Sequence, residues 1–418
     1  MNAIIAPAPL SGEIEAISSK SDAHRLLILA ALSKGTTTLI RLNQRSDDID
    51  ATIGCLRAMG AQIDAAPDGI VVHGIRTFAD NPLLDCNESG STFRFLLPVA
   101  AACCDSARFA GHGRLPERPV RELLQTMRSH GVRFSADRLP FSITGRLGGG
   151  DYELPGDVSS QYLTGLLLAL PTVDRNSVVT LTTKLASAAY VDITLSALSR
   201  FGIRASAEDG VYSVPGGQLC VSPGEIRADG DWSNAAFFLA AGALGRPVRV
   251  SGLRMDSPQG DKNILDILRS FGANVSVSGD AATVAPATLH GIDLDVGETP
   301  DLLPVLAVLA ACAGGETRLV NAARLRLKES DRLTATAKLI NGLGGDAKEL
   351  PDGLVVRGGI LSGGTVDSFH DHRIAMAAAV AAVRCKNPVT ILDAGAAAKS
   401  YPAFYEDYQK LGGNVDVV

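Results

Sequence analysis

The sequence has few aromatic residues and no excess of positive charge. Phe, Trp and Tyr together make up 5% of the 418 residues, so a core must be built mainly from Ala, Leu, Val and Ile. The 39 Lys and Arg residues are outnumbered by 45 Asp and Glu residues, giving a net charge of −6. This balance argues against a nucleic-acid partner, and any anion-binding site must be a local concentration of Lys and Arg.

Long apolar runs and cysteine pairs with metal-ligand spacing are also missing. No apolar run reaches the roughly 18 residues that a membrane helix needs, and the N-terminus lacks the basic region of a secretory signal. The seven cysteines are odd in number, and no Cys-x-x-Cys pair occurs. This usage suits a reducing compartment better than a disulfide framework. We therefore expect a cytoplasmic protein without a membrane partner.

One pattern recurs six times along the chain. A helix-like segment ends in glycine and is followed by a short alternating strand, as in "CLRAMGAQIDA" and "ILRSFGANVSV". In the same register, short segments such as "LTGLLLAL" and "LLPVLAVLAAC" are apolar on every face, which predicts buried helices. The repeating glycines, spaced by about 70 residues, are Gly60, Gly131, Gly202, Gly272, Gly344 and Gly412.

Six units of this size predict an α/β protein with two domains of three units each. Each unit would contain a buried helix, a strand, an amphipathic helix and a strand pair. The divide is expected near "GEIRADGDWS". The short N-terminal strand in "NAIIAPAP" precedes the first complete unit and is expected to belong to the second domain, beyond that divide. A long solenoid is the alternative, although its repeats would usually be shorter.

Polar residues stand just before the apolar helices. Helix N-termini offer free N–H groups and partial positive charge, which bind phosphate or carboxylate. Ser, Thr and Asp are also ordinary helix N-caps, so a single such start is weak evidence. Six starts in the same register, several with Lys or Arg, favour an anion site. The segments are "ISSKSDAHR", "CNESGSTFR", "GDVSSQYLTG", "GDWSN", "ETPD" and "FHDHR".

The segment "RLKESDR" places five charged residues in seven positions. Read as the opening of a helix, it puts Lys328 and Arg332 one turn apart, where like charges repel. Two cations that share an anion site would explain that spacing. Asp331 is interpreted as a structural partner of a neighbouring cation. Taken together, the repeats and the polar helix starts indicate a two-domain enzyme that acts on small anionic substrates. The carboxylates Asp301 and Glu329, which lie among many cations in sequence, would provide its acid/base groups.

The ordered motifs "SSKSDAHR", "ERPV", "VSSQYLTGLLLALP", "QGD", "RLKESDR", "DHRIAM" and "AAAKSYP" resemble the 5-enolpyruvylshikimate-3-phosphate synthase family. The resemblance covers nearly the whole chain. It implies two domains, each of three βαβαββ units, which are joined by a double crossover and close on their substrates. Residues 19–228 would form the domain that mainly binds shikimate 3-phosphate. Residues 1–18 and 229–418 would form the domain contributing phosphoenolpyruvate-binding and acid/base residues.

The resemblance implies a transferase of the shikimate pathway, which leads to chorismate and the aromatic amino acids. The enolpyruvyl group of phosphoenolpyruvate would pass to the 5-hydroxyl of shikimate 3-phosphate by addition and elimination through a tetrahedral intermediate. No metal and no organic cofactor would take part. Shikimate 3-phosphate and phosphoenolpyruvate would be the only partners of a monomeric enzyme.

The resemblance also assigns site residues. Asp301 would take the proton from the attacking hydroxyl, Glu329 would protonate the methylene carbon, and Lys20 would assist. His372 is a supporting candidate. The residues assigned to shikimate 3-phosphate are Lys20, Ser21, Arg25, Ser159, Ser160, Gln161, Ser187, Tyr190, Asp301 and Lys328. The residues assigned to phosphoenolpyruvate are Lys20, Gly90, Arg118, Gln161, Arg332, Arg373 and Lys399.

The chain departs from the family pattern at three positions. Glu88 stands where many members have Asn, Phe95 where some have Pro, and Arg324 where some have Asn. A UDP-N-acetylglucosamine enolpyruvyl transferase is the nearest alternative, but its loop cysteine is missing from "HGRLPERP", and Lys20-Ser21 replaces its Lys-Asn. A non-catalytic anion-binding module is the other alternative, although binding alone would not call for two acids. An RNA 3'-phosphate cyclase is disfavoured by the acidic net charge.

Overall fold

The computed structural model describes the whole chain, Met1–Val418, and contains 24 strands and 12 α-helices. None of these helices combines the length and the apolar character that a membrane crossing requires.

The strands are short, and most have three to five residues. In chain order they are β1 (Ala3–Ala6), β2 (Gly12–Glu15), β3 (Thr37–Arg41), β4 (Gln62–Ala66), β5 (Gly69–His73), β6 (Leu83–Asp85), β7 (Ser106–Ala110), β8 (Arg133–Phe134), β9 (Phe141–Thr144), β10 (Asp151–Leu154), β11 (Ser177–Leu181), β12 (Ser206–Glu208), β13 (Val211–Val214), β14 (Glu225–Arg227), β15 (Val248–Ser251), β16 (Asn274–Ser278), β17 (Ala281–Ala285), β18 (Asp293–Asp295), β19 (Glu316–Val320), β20 (Asp346–Leu350), β21 (Gly353–Arg357), β22 (Gly364–Asp367), β23 (Val389–Leu392) and β24 (Asn414–Val417).

The helices alternate between long, fully buried ones and others that keep a polar face. They are α1 (Lys20–Leu32), α2 (Asp47–Ala58), α3 (Gly90–Cys103), α4 (Arg121–Ser129), α5 (Ser160–Ala169), α6 (Ala189–Arg200), α7 (Trp232–Leu244), α8 (Ile264–Ser270), α9 (Leu303–Cys312), α10 (Arg332–Gly342), α11 (His372–Ala382) and α12 (Phe404–Lys410).

The strands form six separate four-stranded sheets with one shared topology. In the sheet β6-β7-β9-β8, for example, β6 and β7 are parallel, whereas β9 is antiparallel to both β7 and β8. The parallel pair is connected through a helix, here α3, as parallel strands require. This arrangement confirms the predicted α/β fold with six βαβαββ repeats.

The chain divides into two compact units. The first unit is Ser18–Ala228, and the second unit combines Met1–Ile17 with Asp229–Val418. In the first unit, β14 returns to pair in parallel with β3 of the first repeat. In the second unit, β2 pairs in parallel with β15, while β1 pairs with β23 and β24. The chain therefore passes from one unit to the other twice, which is a double crossover.

Helices α3 and α5 approach each other closely in the core of the first unit. Gly165 of α5 faces the backbone of α3, and a Cβ at this position would lie 2.2 Å from the carbonyl oxygen of Arg94. Such a contact is far shorter than any real carbon–oxygen approach, so only glycine fits. The close packing also brings the first turns of the two helices together, because Gln161 of α5 donates to Ser91 of α3 at 3.0 Å.

Replacing Gly165 by alanine should destabilise the first unit, because the new methyl group forces α3 and α5 apart. We expect a loss of about 1–3 kcal/mol in the free energy of unfolding, measured by urea denaturation. Gly54 provides the matched control, since it lies exposed within α2 and a Cβ there would meet nothing within 4 Å. Gly54→Ala should raise stability by about 0.5–1 kcal/mol. Equal effects of the two changes would contradict the close packing.

Candidate active site

Three cations of the second unit converge on the carboxylate of Asp301. Asp301 lies in a 3₁₀ turn, Pro300–Leu302, directly before α9. Its Oδ1 is 2.8 Å from Arg332 Nη1 and 3.6 Å from Lys328 Nζ, and its Oδ2 is 3.2 Å from Arg373 Nη2. Arg332 begins α10, and Arg373 is the second residue of α11. The structure therefore brings four residues predicted for the site into one cluster.

Arg332 is the centre of this cluster. Its side chain is 1% exposed and touches three carboxylates: Asp301, Glu329 through Nη2 at 2.8 Å, and Asp371 through Nε at 2.8 Å. Burial would lower the pKa of Arg332, but Asp371, Glu329 and Asp301 outweigh it and raise the pKa well above its ordinary value. The guanidinium is therefore a permanent buried charge. Asp371 is fully buried and also accepts from Ser330 Oγ at 2.9 Å.

The environment of Asp301 determines its proton affinity. Burial acts to raise its pKa, but Lys328, Arg373 and Arg332 act more strongly and hold it well below the usual range. Asp301 is consequently ionised and only weakly basic while these cations surround it. Anionic ligands that neutralise the cations would raise its basicity, since the same electrostatic interactions would then be offset.

The segment "RLKESDR" is not the opening of a helix, as the sequence had suggested. A 3₁₀ turn, Ala323–Leu327, precedes Lys328, which has an extended backbone, and α10 begins only at Arg332. Asp331 is the N-cap, accepting from Thr334 N at 3.2 Å, and this cap sets the helix start. Lys328 and Arg332 are therefore not stacked on one helix. Asp331 also binds Arg326 at 3.0 Å, which confirms it as a structural partner.

Asp261 is a buried acid that the sequence did not single out, although it belongs to the "QGD" motif. It lies in a 3₁₀ turn, Gly260–Asn263, and accepts a hydrogen bond from Ser233 Oγ. Burial, with the nearby charge of Asp301, raises its pKa to about 7, against the opposing attraction of Arg373. Asp261 is thus a proton-carrying group beside the cluster near neutral pH.

The raised pKa of Asp261 should make stability depend on pH. The unfolded carboxyl loses its proton near pH 4, whereas the folded one keeps it up to about pH 7. The folded state therefore binds more protons in this interval, so stability is lost as pH rises from 4 to 7. Asp261→Asn removes the titrating group and with it this loss of stability. The free energy of unfolding of the variant minus that of wild type should therefore increase by up to about 4 kcal/mol between pH 4 and pH 8.

Urea unfolding of both proteins at several pH values would measure this difference. Asp293→Asn, which alters an exposed carboxylate of the same unit, serves as the control and should show no such trend. A difference between Asp261→Asn and wild type that stays constant with pH would show that Asp261 is ionised throughout.

Two further predicted site residues, His372 and Lys399, lie at or close to the start of α11. His372 is the first residue of α11 and is buried, with Nδ1 3.9 Å from Asp371 Oδ1. Lys399 ends a 3₁₀ turn, Ala394–Lys399, and its Nζ donates to the carbonyl oxygen of His370 at 2.8 Å.

In the first unit, Lys20 begins α1 and binds a carboxylate from the next helix. Lys20 Nζ is 2.7 Å from Asp48 Oδ2, and both side chains are largely shielded from water. Ser19 caps α1 by accepting from Asp22 N at 3.3 Å. Asp48, in the first turn of α2, was not anticipated from sequence, because it lies 28 residues from its partner.

Arg25 lies deeper in the same unit and binds several protein groups. Its Nε donates to Thr194 Oγ1 at 2.8 Å, Nη2 donates to the carbonyl oxygen of Tyr190 at 2.8 Å, and Nη1 donates to that of Ser21. Burial lowers the pKa of Arg25 to about 10, which still leaves it charged at neutral pH. Three residues predicted for one ligand are thus linked. Ser187 adopts a positive φ of 56° just before α6.

Gln161 is oriented by an arginine that the sequence had not assigned a role. Arg94 Nη1 donates to Gln161 Oε1 at 2.7 Å, so the amide N–H groups point away toward Ser91. Ser159 is the N-cap of α5, accepting from Gln161 N at 3.3 Å, and Ser160 is its first residue. The orientation of the Gln161 amide is thereby fixed by a charged hydrogen bond.

Gly90 and Arg118 are in direct contact. A Cβ on Gly90 would lie 2.7 Å from Arg118 Nη1, so glycine is what allows the guanidinium to approach the start of α3. Glu88, one of the departures from the family pattern, packs its carboxylate against Gly113 in the loop that leads to Arg118. A Cβ on Gly113 would lie 2.6 Å from the Glu88 carboxyl carbon.

The six four-stranded sheets and the double crossover define a fold that solved enolpyruvyl transferases share. Among solved structures, the enolpyruvyl transferase NikO from Streptomyces tendae shares this fold, with a TM-score of 0.80 at 20% identity, covering 99% of this chain and 98% of that one. EPSP synthase from Acinetobacter baumannii matches over 100% of both chains, with a TM-score of 0.83 at 28% identity.

The chain belongs to the EPSP synthase family, because the family model described as EPSP synthase (3-phosphoshikimate 1-carboxyvinyltransferase) matches residues 4–408. A 3-phosphoshikimate 1-carboxyvinyltransferase from Clostridium novyi is 40% identical, covering 99% of this chain and 98% of the relative. Another from Methanocorpusculum labreanum is 39% identical, covering 99% of both. The family predicted from the sequence motifs is confirmed.

Proposed function

We propose that this chain transfers the enolpyruvyl group of phosphoenolpyruvate to the 5-hydroxyl of shikimate 3-phosphate and releases phosphate. The observation that carries the proposal is the carboxylate of Asp301 held by Lys328, Arg332 and Arg373, in a member of the EPSP synthase family. Both substrates carry phosphate and carboxylate groups, for which arginine provides two-point hydrogen bonding. The product, 5-enolpyruvylshikimate 3-phosphate, belongs to the shikimate pathway.

The proposed reaction proceeds in two stages. In the addition, the 5-hydroxyl oxygen attacks C2 of phosphoenolpyruvate as Asp301 takes its proton, and Glu329 delivers a proton to C3. Lys20 assists at the phosphate or bridging oxygen. In the elimination, a proton leaves C3, the C2–O bond to phosphate breaks, and the enol ether forms. Both proton transfers of the addition are assigned to side chains, and the proposal assigns no step to a metal or organic cofactor.

The cations have a second role in this proposal. Burial acts to raise the pKa of Asp301, but the positive charges of Lys328, Arg373 and Arg332 outweigh burial and hold this pKa well below the usual range. Lys328 is assigned to shikimate 3-phosphate, and the two arginines to phosphoenolpyruvate. Binding of these anions would offset the positive charge and raise the basicity of Asp301 when both substrates are present. Proton abstraction would then depend on a complete set of substrates.

The remaining assignments are those that the family resemblance implies, and several of them concern residues that are in contact. Ser21, Arg25 and Tyr190 are linked by hydrogen bonds, and with Ser159, Ser160 and Ser187 they are assigned to shikimate 3-phosphate. Gln161, held by Arg94, is assigned to both substrates. Gly90 and Arg118, which are in contact, and Lys399 are assigned to phosphoenolpyruvate. His372 is assigned a supporting role.

We also propose a monomeric enzyme of the cytoplasm. All seven cysteines are free thiols, as a reducing compartment would maintain them. Size-exclusion chromatography with light scattering at several protein concentrations would test the monomer, and a mass near twice 43.5 kDa would contradict it.

Phosphate release from phosphoenolpyruvate provides the direct test of the function. The purified protein should release phosphate when shikimate 3-phosphate is present and should release none without it. Substitution of UDP-N-acetylglucosamine for shikimate 3-phosphate is the matched control. Release with the UDP-sugar and none with shikimate 3-phosphate would overturn the assignment in favour of the alternative transferase.

A further inference from the structure

A chain of buried hydrogen bonds connects the first three helices of the first unit. His24 Nδ1 of α1 is 2.7 Å from Thr52 Oγ1 of α2, which is 2.7 Å from Thr92 Oγ1 of α3. Thr92 Oγ1 is in turn 2.7 Å from Ser89 Oγ, the N-cap of α3. All four residues are at most 1% exposed. Apolar side chains of the same three helices pack around these polar groups.

The direction of the hydrogen bonds follows from which ring nitrogen of His24 carries the hydrogen. Burial, aided by Lys20 and Arg25, lowers the pKa of His24 well below its ordinary value, so the ring is neutral and carries one N–H. Nε2 is buried without a hydrogen-bond partner. An unsatisfied buried N–H costs more than an unsatisfied acceptor, which places the proton on Nδ1. His24 then donates to Thr52, and Thr52 donates to Thr92.

The Thr92 end of this network reaches Asp48 and Ser89, which contact or adjoin Lys20 and Gly90. The Thr92 hydroxyl lies within reach of two acceptors, Ser89 Oγ and the backbone oxygen of Asp48 at 3.3 Å. Asp48 is the residue whose carboxylate binds Lys20 at 2.7 Å. Ser89 directly precedes Gly90, against which the Arg118 guanidinium packs. The network therefore fixes the first turn of α2 against the start of α3.

We propose that His24, Thr52 and Thr92 are positioning residues, which hold Lys20 and Gly90 in register for phosphoenolpyruvate. This inference rests on the proposed function, because it uses the assignment of both residues to that substrate. The three side chains are buried, and Thr92 connects them to Asp48 and Ser89. Buried hydrogen bonds between helices restrict their relative movement, and a displacement of about 1 Å at a reacting group can cost about 100-fold in rate.

Thr52→Val tests this role, because valine keeps the branched shape and removes only the hydroxyl. We expect the KM for phosphoenolpyruvate to rise by about 10- to 100-fold. The KM for shikimate 3-phosphate should rise much less, because Lys20 is assigned to both substrates whereas Gly90 is assigned to phosphoenolpyruvate alone. His24→Leu should have the same effect. His24→Asn should restore most of the wild-type KM, because the asparagine N–H can replace the donor at Nδ1.

Thr38→Val is the matched control. Thr38 of β3 is also fully buried in the first unit, and its hydroxyl is 2.6 Å from Ser222 Oγ, so the same kind of hydrogen bond is lost outside the network. It should lower Tm about as much as Thr52→Val and leave both KM values unchanged.

If the wild-type protein is active with shikimate 3-phosphate, three results would overturn the positioning role. These are an unchanged KM for phosphoenolpyruvate in Thr52→Val, an equal rise of both KM values, or the same selective rise in Thr38→Val. A wild-type protein that releases no phosphate with shikimate 3-phosphate would instead overturn the proposed function. The two failures are therefore distinguishable.

Discussion

Arg332→Ala should nearly abolish turnover, lowering kcat/KM by at least about 1,000-fold, because it removes a preorganised charge from a buried site. It should also lower the free energy of unfolding by about 3–5 kcal/mol, since removal of one partner leaves buried charges uncompensated. Those charges are the carboxylates of Asp301, Glu329 and Asp371, each within 2.8 Å of the guanidinium. Phosphate release and urea unfolding would measure the two losses.

Two further variants separate the loss of binding from the loss of folding. Arg332→Lys keeps the positive charge among the three carboxylates, so it should recover much of the stability but little of the activity, which requires the planar fork. Arg326→Ala removes a nearby arginine that pairs with Asp331 and Glu349 outside the cluster, and should change turnover little. If Arg332→Ala kept the turnover of the wild-type protein, the assignment of Arg332 to the active site would be wrong.

Asp301→Asn should separate catalysis from binding. The amide cannot accept the hydroxyl proton, so kcat should fall by about 100- to 10,000-fold, which is the usual contribution of a general base. The KM values for both substrates should stay the same or decrease. Without the carboxylate, Lys328, Arg332 and Arg373 lose an ion-pair partner within the protein. Their positive charges are then available to bind anionic substrates.

Steady-state kinetics with each substrate varied in turn would provide both values, and Asp293→Asn controls for the change in net charge. An unchanged kcat would mean that another group accepts the proton. A large increase in KM with little change in kcat would instead assign Asp301 to substrate binding.

The repeating architecture could be predicted from sequence because its signals are local. Glycines at a spacing of about 70 residues and helices that are apolar on every face recur in register, and each needs only a short window to be recognised. The start of α10 was placed too early. The acidic Asp331 could be a helical residue or a cap, and only its bond to Thr334 N decides the question.

The supporting residues of the site could not be found in the same way. Asp48 lies 28 positions from Lys20, and Arg94 lies 67 positions from Gln161. In sequence, each resembles an ordinary polar residue of a helix, and its role depends on how separate helices pack. Thr52 and Thr92, which are 40 positions apart, are equally inconspicuous. The positive φ of Ser187 likewise has no signal in its sequence neighbours.

The double crossover has a consequence for biosynthesis. Once residue 228 has been synthesised, every strand of the first unit exists, including β14, so this unit can fold while the rest of the chain is still being made. Strand β1 is synthesised before the strands of the first unit, but its partners β23 and β24 follow only nearly 400 residues later. During this delay it is an unpaired apolar strand on the nascent chain. Pro7 and Pro9, which follow it directly, shorten the segment that could pair with other chains.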